Sequence, residues 1–147
     1  LTALLLDGVS GGLAGAIGLA LADILAGDPG YAITTFILKF IIGLVCGFVA
    51  HKVIHLKDYP TANRGKYLLV VTASAFSGLL VNVFTDPFIG YFRNRFIFGQ
   101  PAEIASVFTK IASGVTLINS LLSTVCAVIL YLALRPALEK AHLLPKD

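Results

Sequence analysis

Charge is what this 147-residue chain has least of. Asp, Glu, Lys and Arg make up 13% of it, where a soluble globular domain carries about a quarter. The shortage excludes an ordinary water-soluble globule, a disordered segment and a soluble coiled coil, all of which are rich in charge. Cysteine is nearly absent too. Cys46 and Cys126 each sit inside an apolar run, without the spacing of a metal site or a redox pair. They are expected to be two small buried hydrophobes, and a disulfide-stapled secreted module is excluded. Nucleic-acid binding needs a face dense in Lys and Arg. Here the net charge is +3 and the basic residues gather between apolar runs, so no nucleic-acid partner is expected. There is no Asn-x-Ser/Thr acceptor and no cleavable signal pattern. Methionine is missing altogether. Translation starts at Met, and its removal favours a small second residue, so Leu1 is not expected to be the native start.

What remains is hydrophobicity, at 57% of residues. A bilayer core about 30 Å thick calls for roughly 20 mostly apolar residues per helix. Four segments meet that length or approach it. Residues 8–22, 67–85 and 111–134 carry no charge, and residues 33–50 carry only Lys39. Phe88–Phe98 is a strongly aromatic extension that holds Arg93 and Arg95. The expected fold class is an all-α integral membrane protein forming one membrane domain over residues 1–147.

The first run is interrupted by Asp7-Gly8-Val9-Ser10-Gly11-Gly12. Either one Gly-rich helix carries a buried Asp, or Leu1–Leu6 ends an earlier span and a turn at Asp7–Gly12 starts a new helix near Leu13. Glycine's poor helix propensity favours the turn. Lysine and arginine set orientation. The stretch 51–66 holds Lys52, Lys57, Arg64 and Lys66 against the single acid Asp58, and the tail holds Arg135, Lys140 and Lys146. Both are expected on the cytoplasmic side. The visible chain then has four full spans plus the tail of an earlier one. A further full span before that tail makes a six-helix bundle in the intact protein, with both ends cytoplasmic.

Helix ends follow local chemistry. Asp28-Pro29-Gly30 is expected as an external turn, with Thr34 or Thr35 capping the next helix. Asp86-Pro87 is expected to kink or break the third span, and Gly99-Gln100-Pro101 to end the aromatic extension. Arg135-Pro136 is expected where the last span leaves the membrane. Small residues recur every four positions: Ala14, Gly18, Ala22 and Ala26, then Gly11 with Gly15, and Gly43 with Gly47. In lipid such faces allow close backbone approach, either within one bundle or onto another subunit.

No catalytic constellation is present. His51, His55 and His142 fall in expected cytoplasmic segments, and Glu103 and Glu139 at span ends. This points to binding or transport rather than an enzyme. Polar residues inside a membrane are costly, so each is a functional candidate. Lys39 lies one to two turns inside its span, and Asp23 ends the preceding one. They can meet as a structural ion pair or as the wall of a polar pocket. Asn82, Asp86, Tyr91, Arg93, Asn94 and Arg95 stand among Phe84, Phe88, Phe92, Phe96 and Phe98. That composition suits a pocket for a small ring or amide ligand; the arginines also suit an interfacial belt. The last span adds Thr116, Asn119, Ser120, Ser123 and Thr124, of which Asn119 and Ser123 share a face.

These residues resemble a known family. Leu4–Gly18, Ala22-Asp23-Ile24-Leu25-Ala26-Gly27, Tyr31 and Thr35–Leu44 are similar to the substrate-binding S components of energy-coupling factor (ECF) vitamin transporters. Leu80-Val81-Asn82, Gly90-Tyr91-Phe92, Asn119 and Leu130–Arg135 continue the similarity. The resemblance implies a multi-pass protein of the bacterial cell membrane with a cytoplasmic C-terminus. It would bind a water-soluble vitamin or precursor, of the pantothenate or the pyridoxine/hydroxymethylpyrimidine type, at the outer face. Its partners would be a transmembrane coupling subunit and two cytoplasmic ATPases, which use the ATP and magnesium; this chain would carry no cofactor. Import would proceed by toppling of the S component in the bilayer. The family's first-helix docking face and the loop that helps cover the ligand would precede Leu1. The implied pocket residues are Asp23, Tyr31, Lys39, Asn82, Tyr91 and Asn119, with Arg93 or Arg95 as an anion contact. Relatives of the pyridoxine or hydroxymethylpyrimidine type carry an acid shortly after Gly-Tyr-Phe. Arg93 and Arg95 stand there instead, which implies an anionic vitamin such as pantothenate. The alternative function is a small ion-coupled secondary transporter or channel subunit with Lys39 and Asp23 on its path.

Overall fold

The computed structural model describes residues 1–56, 58 and 63–144. Lys57 and Lys146, two of the orienting charges, lie outside them. A short α1 (Thr2–Leu5) precedes four long helices: α2 (Gly8–Leu25), α3 (Pro29–Phe48), α4 (Arg64–Phe92) and α5 (Ala102–Lys140). A π turn, Val49–Val53, prolongs α3, and another, Arg93–Ile97, prolongs α4. Among the described residues there is no strand. All four long helices are apolar and long enough to cross a membrane. Large apolar side chains such as Leu25, Ile33, Phe84 and Phe96 cover the outside, the inverse of a soluble fold. The chain is an all-α multi-pass membrane protein. With 39 residues, α5 runs about 58 Å at 1.5 Å per residue, so it outreaches the hydrocarbon layer.

The glycine cluster near the start is helical, not a turn. The chain reverses at Leu6 and Asp7, and α2 begins at Gly8. Asp7 is its N-cap, accepting from the Ser10 backbone N–H at 2.8 Å and the Ser10 hydroxyl at 2.7 Å. The glycines serve packing. A Cβ on Gly47 would sit 2.2 Å from the Gly8 Cα, and one on Gly43 2.3 Å from the Gly12 Cα. Two pairs spaced by four therefore bring α2 and α3 into backbone contact, as membrane helices permit. The other small-residue series does not pack inside. Ala14, Gly18, Ala22 and Ala26 are all exposed.

The other helix ends also depart from expectation. Asp28 precedes α3 with Pro29 in its first turn. The reversal uses Gly27, whose φ of 91° only glycine adopts freely. Thr34 is already inside α3 and donates to the Tyr31 carbonyl, so neither it nor Thr35 caps. Pro87 does not break α4, and Pro136 does not end α5, which continues to Lys140. Gly99, with φ of 64°, does end the aromatic extension. Cys46 is buried as expected, but Cys126 faces outward.

At one end the core gathers Leu4, Leu56, Val71 and Tyr131. Arg135 clasps this end, donating to the Leu56 carbonyl at 3.1 Å, the Tyr67 hydroxyl at 2.6 Å and the Tyr131 hydroxyl at 2.7 Å. Its Nε meets Glu139 at 2.7 Å. Tyr131 is 1% exposed, so these hydrogen bonds satisfy hydroxyls that water cannot reach. The clasp places the segment after α3, the start of α4 and the end of α5 at one end of the bundle.

Candidate functional site

α2 lies on α3 and α4 lies on α5, with α3 and α4 in contact between them; α2 and α5 make no extended contact. A groove of about 760 Å³ opens there, with α3 and α4 as its floor and α1 at its inner end. Its inner part is apolar, lined by Cys46, Ala75, Leu79 and Leu122. Its polar residues are Lys39, Asn82, Asn119, Ser120, Ser123 and Thr124, with Thr2 at the α1 end.

Three of these residues form a chain across three helices. Lys39 Nζ on α3 donates to Asn82 Oδ1 on α4 at 2.9 Å. Asn82 Nδ2 donates to Ser120 Oγ on α5 at 2.6 Å. One turn further out, Thr116 on α5 donates to Asp86 on α4. The pairs keep one antiparallel register, since each step of four up α4 is a step of four down α5. The Tyr67–Arg135 bond belongs to the same register, fifteen residues away along either helix. Polar groups inside a bundle in lipid persist where they find such partners.

Of the residues expected in a pocket, Lys39, Asn82 and Asn119 line the groove. Asn119 is exposed. Asp23 stands near enough to act electrostatically on Lys39, as does Asp86, yet Asp23 and Lys39 form no ion pair. Asp23 Oδ2 is buried without a hydrogen-bond partner. Tyr31 and Arg93 come together outside the groove lining. The Arg93 guanidinium lies 3.9 Å from the Tyr31 ring centre and donates to Thr34 Oγ1 at 3.2 Å. Phe98 packs on the other ring contact of Tyr31, centroids 5.3 Å apart. Tyr91 packs edge-on against Phe92. Arg95 is exposed and donates to the Gln100 carbonyl at 3.0 Å. The two arginines thus serve different local partners and form no joint anion site. Ser120 and Thr116 carry more of the site than the sequence assigned them. Their signal was their spacing of four on α5, opposite Asn82 and Asp86 spaced by four on α4.

A helical membrane bundle with a groove of small-molecule size and one polar wall defines a binding or transport subunit. Residues 1–136 match the family described as ECF-type riboflavin transporter, S component, and the chain belongs to that family. The family is one of transport and binding subunits, not of enzymes. No curated protein and no solved structure matches the chain.

Proposed function

We propose that this chain binds riboflavin in the groove and delivers it into the cell as the S component of an ATP-driven importer. The observation that carries this reading is the Lys39–Asn82–Ser120 chain on the wall of a groove of about 760 Å³. Small-molecule sites occupy roughly 300–1,000 Å³ and pair apolar walls with a few fixed polar groups. The flavin ring suits that division. Its pyrimidinedione edge offers two carbonyls and an N–H to the groove's polar wall, and its dimethylbenzene edge is apolar. The ribityl hydroxyls suit Asn119 and Ser123. The family description names riboflavin.

A transmembrane coupling subunit and two cytoplasmic ATPases complete the importer, and the ATP and magnesium belong to those ATPases. The basic segment after α3 and the end of α5 face the cytoplasm in this reading, because the clasp holds both at one end and positive charge stays inside.

Flavin fluorescence tests the proposal. Titrating riboflavin with the purified protein in nanodiscs is expected to give saturable quenching. Lys39→Met and Asn82→Leu are each expected to weaken binding at least about tenfold, the scale of a lost charge-assisted hydrogen bond. Pantothenate and pyridoxine are expected not to compete. Saturable binding of pantothenate with none of riboflavin overturns the vitamin assignment. In cells, uptake is expected to stop when the partner ATPases cannot hydrolyse ATP. Uptake by this chain alone on an ion gradient would make it a secondary transporter instead.

A further inference from the structure

The bond between Asn82 and Ser120 determines what α5 offers a ligand. The Lys39 ammonium has donors only, so the oxygen of the Asn82 amide must face it. That turns Asn82 Nδ2 toward Ser120 Oγ, at 2.6 Å. Ser120 is therefore the acceptor in that bond, and its own proton is not used there. Serine and threonine inside a helix commonly donate to a carbonyl one turn back. Ser74, Ser113 and Thr124 do so here. Ser120 makes no such bond among the described residues, although it is only 6% exposed. It lines the groove beside Lys39 and Asn82. A buried hydroxyl with an unused proton, on the wall of a small-molecule groove, is a donor awaiting an acceptor.

Building on the riboflavin reading, we propose that Ser120 is a specificity-determining residue. Its O–H donates to one of the two carbonyl oxygens of the pyrimidinedione. Asn82 fixes the direction of that donor, because it occupies the lone pair on the other side of Ser120 Oγ. Asn119, the more conspicuous residue in the sequence, is left for the exposed part of the ligand.

Thiocarbonyl sulfur accepts hydrogen bonds more weakly than carbonyl oxygen, so 2-thioriboflavin and 4-thioriboflavin probe the two positions separately. Calorimetric titration of the full chain in nanodiscs is expected to show that one of the two analogues binds about tenfold more weakly than riboflavin. Ser120→Ala is expected to weaken riboflavin about tenfold and to erase the discrimination against that analogue. Ser120→Cys has nearly the volume of serine and only a weak donor. It is expected to lose the same discrimination, and it serves if the alanine variant does not fold. Equal weakening of all three flavins by both variants would leave Ser120 as a mere support for Asn82 and overturn the proposal. So would discrimination that persists in both variants. Wild-type protein that binds no flavin strikes the riboflavin reading itself, a result separable from either of these.

Discussion

Asp7 and Asn82 meet the same demand, a polar group near helix backbone, in different surroundings: one exposed, one half-buried among helices. Asp7 stands almost fully in solvent at the start of α2. The Ser10 backbone N–H, and after it the Ser10 hydroxyl, hold its carboxyl below the usual carboxylate range. A lowered value in the folded state means the cap's charge-dependent stability is fully present above the ordinary carboxylate pKa, near 3.9. It is lost as pH falls through the lowered folded value. Asp7→Asn keeps an acceptor and removes the titration. Thermal unfolding curves of that variant and the wild type are expected to run parallel above about pH 5 and to converge or cross below it, as only the wild type loses the term. Asp7→Ala is expected to cost about 1 kcal/mol near neutral pH. Asn82 is half-buried inside the bundle, and each end of its amide is used. This cost is why Lys39 and Asn82 were legible in the sequence as functional. Ser120 was not, because a serine in a helix usually satisfies itself on its own backbone, and only the amide's orientation shows that this one does not.

At the scale of elements, hydropathy located every long helix, but propensity misread their ends. Three glycines in six residues look like a turn when each costs about 1 kcal/mol in a helix. That reckoning omits the partner helix. Gly8 and Gly12 lie against Gly47 and Gly43, and the approach they allow returns dispersion contacts along the α2–α3 seam. Gly47→Ala and Gly43→Ala place a Cβ against backbone, which cannot move aside cheaply. Each is expected to destabilise by about 1–3 kcal/mol. Gly15 and Gly18 meet nothing within 4 Å of an added Cβ. Alanine at either is expected to be neutral or to stabilise by up to about 1 kcal/mol. Thermal denaturation of the four variants in one detergent checks the contrast. Pro87 does not break α4, nor does Pro136 interrupt α5. A proline removes one hydrogen bond, but a long packed helix continues through it when its neighbours hold both halves.

The whole molecule is polarised. Positive charge and the Arg135 clasp mark one end, and the groove's polar rungs lie toward the other. A C-terminal fluorescent-protein fusion is expected to glow, and a C-terminal alkaline phosphatase fusion to be inactive, as for a cytoplasmic end. The reverse pair of results would invert the bundle and put the groove's polar end on the inner side.

The antiparallel register of α4 and α5 carries a mechanical consequence. Hydroxyls recur on α5 every four residues at Thr116, Ser120 and Thr124, and the first two meet Asp86 and Asn82. A slide of four residues, about 6 Å, would set Asn82 opposite Thr124 and Asp86 opposite Ser120. Both would again find a hydroxyl, whereas a half-turn slide would strand them. This seam alone is a ratchet with more than one tooth. What selects the tooth is Arg135, because its contacts with Leu56 and Tyr67 exist in one register only. The clasp is thus the pawl that sets which side chains the groove displays some fifteen residues away.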